Sequence, residues 1–316
     1  MVLITMKLSA WNRAELNERL SGSGLTVHTG PFSARIRTKI SSVVDGIVLL
    51  YADYPVSDGD SFADFHVALQ QPRGPRRWFR PQVTFHFDGV APFKPLPLAQ
   101  ALPLLEWGLN WCVGNHAHQF LLIHAAAIER DGCAAILPGP PGAGKSTLTA
   151  FLVHNGWRLL SDELALLSLA DGSVTALARP ISLKNQSIDI IARRLPSARM
   201  SPRCKDTAKG AVALLRAPHE SVARSGETAQ PAWVIFPKFR VGSDGRLRPR
   251  SKADTLIEIG HNAFNYSVHG KLGFELLSQL IDSCGCYDFS YDSLDQAFAT
   301  FDVLRPAGAV TRAASA

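Results

Sequence analysis

Gly139-Pro140-Pro141-Gly142-Ala143-Gly144-Lys145-Ser146, followed by Thr147, is a complete G-x-x-x-x-G-K-[ST] string, the pattern of a loop that cradles phosphate. Each position has a physical task. The glycines let successive backbone N–H groups turn inward around an anion, Lys145 supplies a charge near the outer phosphates, and Ser146 carries a hydroxyl of the kind that ligates Mg²⁺. The helix that follows adds the positive end of its dipole. Gly139 to Thr147 are therefore candidate nucleotide contacts, with Ser146 also a candidate metal ligand.

The flanking sequence fits that task. Cys133 to Leu137 is an apolar run of strand length, and Leu148, Phe151 and Leu152 supply the apolar positions of a helix after the loop. Upstream, Leu121 to Ile128 is a second apolar run, and Asp131-Gly132 makes the turn that joins the two into a hairpin. Downstream, Arg158-Leu159-Leu160-Ser161-Asp162-Glu163 reads as a strand ending in two acids. Carboxylates in that position sit at the carboxyl end of a parallel sheet, beside the loop, where they can hold Mg²⁺ or take a proton. Asp162 is the better general base and Glu163 the better metal partner. Two acids at a strand end are also common as solvated caps, and a lone His in an apolar strand, such as His124, is more often a core residue.

The block from His124 to Glu163 resembles the HPr kinase/phosphorylases and, among their relatives, the HPr-kinase-related group A. His124 stands fifteen residues before Gly139, and the loop is followed by Gly156, Arg158, Leu159 and Asp162-Glu163 at the separations that recur in the family. Tyr51-Ala52-Asp53, Arg179-Pro180-Ile181-Ser182-Leu183-Lys184 and Phe236-Pro237 also look like group A. The resemblance implies an α/β fold with the phosphate-loop core shared with phosphoenolpyruvate carboxykinases, and phosphoryl transfer from a nucleotide to a serine. It assigns His124 to the site, orienting Asp162 or touching the transferred group. Arg179 and Lys184 become candidates for nucleotide or substrate phosphate, against the plainer reading of surface charges. Two departures stand out. Asp162-Glu163 replaces two aspartates, and the stretch linked in the family with the phosphorylase reaction and subunit contacts is absent in that form.

Elsewhere, residues 24–95 alternate β-like stretches (Leu25 to His28, Phe65 to Leu69, Gln82 to Phe87) with turns. A helical stripe of Ile40, Val43, Val44, Ile47, Val48 and Tyr51 interrupts them, and a second stripe runs from Leu98 to Cys112. These set a β-rich α+β accessory domain at 1–119 and a catalytic domain at 120–304, with a disordered tail at 305–316. Arg73 to Arg77 reads as a solvated basic hairpin tip, residues 193–209 as an exposed segment, and Pro218 to Gln230 as a loop. Ala232 to Phe236 reads as a strand, with helices at Ala253 to Ile259 and Gly273 to Leu280.

The 316 residues are 46% hydrophobic and 19% charged, which excludes a disordered or collagen-like chain. A net charge of +6 is too mild for a nucleic-acid partner but suits small anions. The longest uninterrupted apolar run, Ile47 to Ala52, is far short of the roughly 20 residues a membrane helix needs. The start of the chain lacks a leader pattern, and five scattered cysteines do not make a disulfide framework, so a cytoplasmic protein is expected. The expected activity is an ATP- and Mg²⁺-dependent serine kinase acting on a protein or peptide acceptor, with homo-oligomer formation left open. The alternatives are a kinase of a small hydroxyl compound such as free serine, and a non-catalytic ATP-binding switch or assembly factor.

Overall fold

A computed structural model describes residues 6–58, 60–72, 74 and 79–305. The tail beyond Arg305 and most of the basic loop, Arg73 and Pro75 to Arg77, lie outside the described residues. The fold is mixed α/β with several sheets, and among the described residues no helix is long and apolar enough to cross a membrane.

The chain forms two compact units, Met1–Val113 with Ala178–Ser225, and Gly114–Leu177 with Gly226–Ala316. The division expected at residue 120 is thus incomplete. Residues 178–225 return to the first unit, so the second is not the continuous stretch 120–304.

In the first unit a seven-stranded sheet runs in the order Met6–Lys7, Pro55–Asp58, Leu25–Thr29, Phe32–Thr38, Phe65–Gln70, Gln82–Phe87, Leu96–Pro97. The stripe from Ile40 to Tyr51 forms the helix Ser41–Leu50 and buries Val43, Val44, Ile47 and Leu50, as its 3.6-residue period requires. The second stripe forms the helix Ala101–His116. The returning segment contributes a three-stranded sheet in the order Ile181–Lys184, Gly210–Leu215, Cys204–Thr207 and the helices Gln186–Arg194 and His219–Ala223. Residues 193–209 are therefore not one exposed run, because Ser201 and Cys204 are buried. Part of the loop expected from Pro218 is helical.

The second unit is built on a six-stranded sheet in the order Arg158–Ser161, Ala125–Arg130, Cys133–Pro138, Gln230–Phe239, Gly285–Tyr291, Leu247–Pro249. Ala125–Ala127, Ala134 and Ala135 are all buried, so these central strands read as continuous apolar runs without alternation. Asp131 (φ 54°) and Gly132 (φ 78°) both take positive φ, the requirement of a tight turn that matches strand twist. The apolar run from Leu121 is not one strand. It breaks at His124 into Phe120–Ile123 and Ala125–Arg130, which belong to different sheets, the former in a three-stranded sheet with Ala165–Ser168 and Val174–Thr175. The expected helices are longer than their readings, at Lys252–His261 and Tyr266–Ser283, the latter broken by a kink at Gly270 (φ 52°).

Candidate active site

Strand directions define the site. Cys133–Pro138 runs parallel to Gln230–Phe239, which runs parallel to Gly285–Tyr291. Arg158–Ser161 and Cys133–Pro138 are each antiparallel to Ala125–Arg130 between them, and so parallel to one another. Four strands therefore end at one side of the sheet, and the two antiparallel strands, Ala125–Arg130 and Leu247–Pro249, begin there. The phosphate loop follows Pro138, Asp162-Glu163 follows Ser161, and His124 precedes Ala125. This is the side on which α/β sheets bind ligands.

Register brings these groups closer still. Pro138 pairs with Ala125, so the loop leaves its strand beside His124. Ser161 pairs with Ala127 in the large sheet, while Ala165 pairs with Ile123 in the small one. His124 and Asp162-Glu163-Leu164 are thus the two adjacent crossings from one sheet to the other. All three residues His124, Asp162 and Glu163 are half-buried. The His124 N–H donates to the Asn262 carbonyl at 2.8 Å, and its ring lies 5.5 Å from that of Phe264.

The loop has the backbone that its glycines allow, with φ of 144°, 86° and 95° at Gly139, Gly142 and Gly144. Gly144 is the N-cap of the helix Lys145–Val153 and has no side chain to occupy the first-turn amides, which suits an anion at that end. A Cβ at Gly144 would lie 2.7 Å from the Tyr291 hydroxyl, so glycine is required there twice over. Pro140, Pro141 and Gly142 are exposed, Ala143 to Ser146 are half-buried, and Thr147 is buried. The Lys145 ammonium folds over the loop, donating to the Gly139 carbonyl and, at 3.2 Å, to that of Pro140.

Two residues that sequence reasoning missed support the loop. The Phe239 N–H donates to the Ala143 carbonyl at 3.2 Å, and the Tyr291 hydroxyl donates to the Gly144 carbonyl at 3.3 Å. Burial pushes the Tyr291 phenol above its ordinary range, which keeps that donor proton in place. The alternation of Tyr287, Phe289 and Tyr291 was the available signal for their strand.

Arg158, part of the resembling block, is structural. It forms a buried ion pair with Glu129 on the neighbouring strand, and its Nη1 donates to the Glu227 carbonyl at 3.0 Å.

Arg179 and Lys184 fall in the first unit. Lys184 is the half-buried last residue of its strand. Arg179 is 7% exposed, and its Nη2 donates to Glu106 Oε2 at 3.1 Å, to the Glu106 carbonyl at 3.0 Å and to Asn110 Oδ1 at 2.9 Å. A guanidinium engaged this way is not presented to a phosphate, which corrects its expected role. Tyr51-Ala52-Asp53 is likewise committed within the first unit, Tyr51 to the same network and Asp53 to a separate one. Tyr51 donates to Glu106 Oε1 at 2.5 Å, and Asp53 pairs with Arg216 and, at 3.0 Å, with His219. Burial and the adjacent Glu106 charge hold the Tyr51 phenol well above its ordinary range.

Among the described residues no group of three or more His, Cys, Asp or Glu is arranged to hold a metal ion. A nucleotide-bound Mg²⁺ asks for less, taking one or two protein oxygens and the rest from phosphates and water, and Ser146 and Glu163 are of the right type. The chain matches no family model and no curated protein.

Proposed function

We propose that this chain is a phosphotransferase of the HPr-kinase-related kind, with a phosphate-loop kinase core and an accessory first unit. It transfers the γ-phosphoryl group of ATP, in the presence of Mg²⁺, to a serine hydroxyl on a protein or peptide in the cytoplasm. The observation that supports this most is the convergence of the phosphate loop, His124 and Asp162-Glu163 at one end of a single sheet. A loop alone fits any nucleotide-binding protein. A second carboxylate beside the expected metal partner favours a reaction.

When bound, ATP and Mg²⁺ supply the phosphoryl group and offset its charge. The loop amides and Lys145 hold the outer phosphates, with Lys145 giving up its present hold on the Gly139 and Pro140 carbonyls to do so. Ser146 and Glu163 offer oxygens to the metal. Asp162 accepts the proton of the attacking serine hydroxyl, and His124, on the adjacent crossing, orients that carboxylate. Positioning and charge stabilisation carry the acceleration, with no covalent enzyme intermediate.

Incubation with γ-labelled ATP, Mg²⁺ and host lysate, followed by mass identification of the labelled material, tests the reading. Label on a polypeptide serine is expected. Label on a metabolite would redirect the proposal to a small hydroxyl acceptor, and binding without label or hydrolysis would reduce the protein to a nucleotide-dependent switch.

A further inference from the structure

The outer face of the seven-stranded sheet holds a cleft of about 520 Å³, lined by Arg37, His66, Ala68, Gln70, His86 and Asp88. Its origin is in the register. Arg37 pairs with Ala68, and Ala68 with His86, so three neighbouring strands set a small residue between two long polar ones. His66 and Gln70 lie two residues before and after Ala68 on its own strand, and so on the same face. Strand spacing makes the opening roughly 10 Å from Arg37 to His86, and the strand rise makes it roughly 13 Å from His66 to Gln70. The Ala68 methyl is the floor.

Three of the wall residues have uncommitted side chains. Among the described residues Arg37 makes no ion pair, and the side chains of His66 and Gln70 make no hydrogen bond. His86 is held upright from both sides, by Thr84 Oγ1, 2.9 Å from its Nε2, and by the Gly89 carbonyl, 3.5 Å from its Nδ1, so it forms a fixed wall. Asp88, whose N–H donates to the His66 carbonyl at 3.0 Å, stands at one corner. The Arg37 guanidinium, the His66 imidazole and the Gln70 amide border, with the His86 ring as a fixed wall, a space within the range of small-molecule sites. A guanidinium fork matches the paired oxygens of a carboxylate or phosphate. The single carboxylate accepts from a hydroxyl or amino group and disfavours a second anion.

We propose that this cleft binds a small organic molecule carrying one oxyanion, carboxylate or phosphate monoester, together with a hydroxyl or amino group. The site is separate from the phosphate loop and does not depend on the phosphotransferase reading.

The test uses the full chain carrying Lys145→Ala, so that the phosphate loop does not compete. Ring C–H signals of His66 and His86, assigned with His66→Gln and His86→Gln, are followed by NMR during titration with inorganic phosphate, glycerol 3-phosphate and glycerate at constant ionic strength. A saturable shift of both signals with at least one probe is expected, and the probe that binds best identifies the oxyanion. Adding Arg37→Gln should weaken that binding at least about tenfold, the loss of one charge-assisted pair. Ala68→Leu, which fills the floor without changing charge, should also abolish it, with the remaining histidine signals reporting an intact fold. No saturable shift with any probe, or equal affinity in the Arg37→Gln variant, would overturn the proposal.

Discussion

Gly144 joins two constraints that usually act apart: a φ of 95° that side chains resist, and a Tyr291 hydroxyl standing where a Cβ would go. Gly144→Ala should cost about 1–3 kcal/mol in denaturant unfolding and weaken ATP binding. Adding Tyr291→Phe removes the clashing oxygen and should recover part of the loss, while the backbone strain remains. An unaffected Gly144→Ala protein would show that the loop does not hold this conformation. For the chemistry, Asp162→Asn should keep ATP binding and lose phosphoryl transfer, since the amide keeps the shape but accepts no proton at neutral pH. Glu163→Gln should instead raise the Mg²⁺ concentration needed for transfer. Near-normal transfer by Asp162→Asn combined with loss in Glu163→Gln would exchange the two roles.

The ion pair of Glu106, on the helix Ala101–His116, with Arg179, on the returning segment, fastens the first unit internally. Arg179→Met leaves a buried carboxylate facing Tyr51 and should cost about 3–5 kcal/mol. Glu106→Gln in the same chain should restore much of it, and ATP affinity should be unchanged in any variant that folds. A specific loss of ATP affinity at full stability would return Arg179 to the nucleotide site. The elements with local signals were readable from sequence: the Asp131-Gly132 turn, the strand Cys133–Pro138, the glycine loop and the apolar stripes of the helices. The break at His124 was not, because Leu121 to Ile128 is apolar on both sides of that one residue and only the pairing of Ile123 with Ala165 and of Ala125 with Pro138 divides it. Arg179 was misread for a related reason. Its partner lies 73 positions away, and nothing in Arg179-Pro180 marks a buried guanidinium.

Across the whole molecule, the departure of residues 178–225 to the first unit is the main feature that the sequence did not reveal, since a chain that leaves a unit and returns has no local signature. The second unit closes neatly around that excursion. Val174 and Ala229 exchange backbone hydrogen bonds of 2.8 and 3.0 Å, so the chain departs and re-enters at neighbouring points. A start near residue 118 would strand 178–225 without the rest of the first unit, including Glu106 and Asp53, the partners of Arg179 and Arg216. Joining Leu177 to Gly226 by a short Gly/Ser linker, in a chain that begins at Gly114, should instead give a folded second unit that binds ATP, because every residue proposed to contact phosphate lies within it. The central claim, that Gly139 to Thr147 hold the phosphates of a nucleotide, is tested most directly by calorimetric titration of the full chain and its Lys145→Ala variant with ATP and Mg²⁺. Saturable one-site binding by the unaltered chain, lost in a variant with the same circular dichroism and melting temperature, is the result the account predicts. No binding by the unaltered chain, or equal binding by the variant, would contradict it.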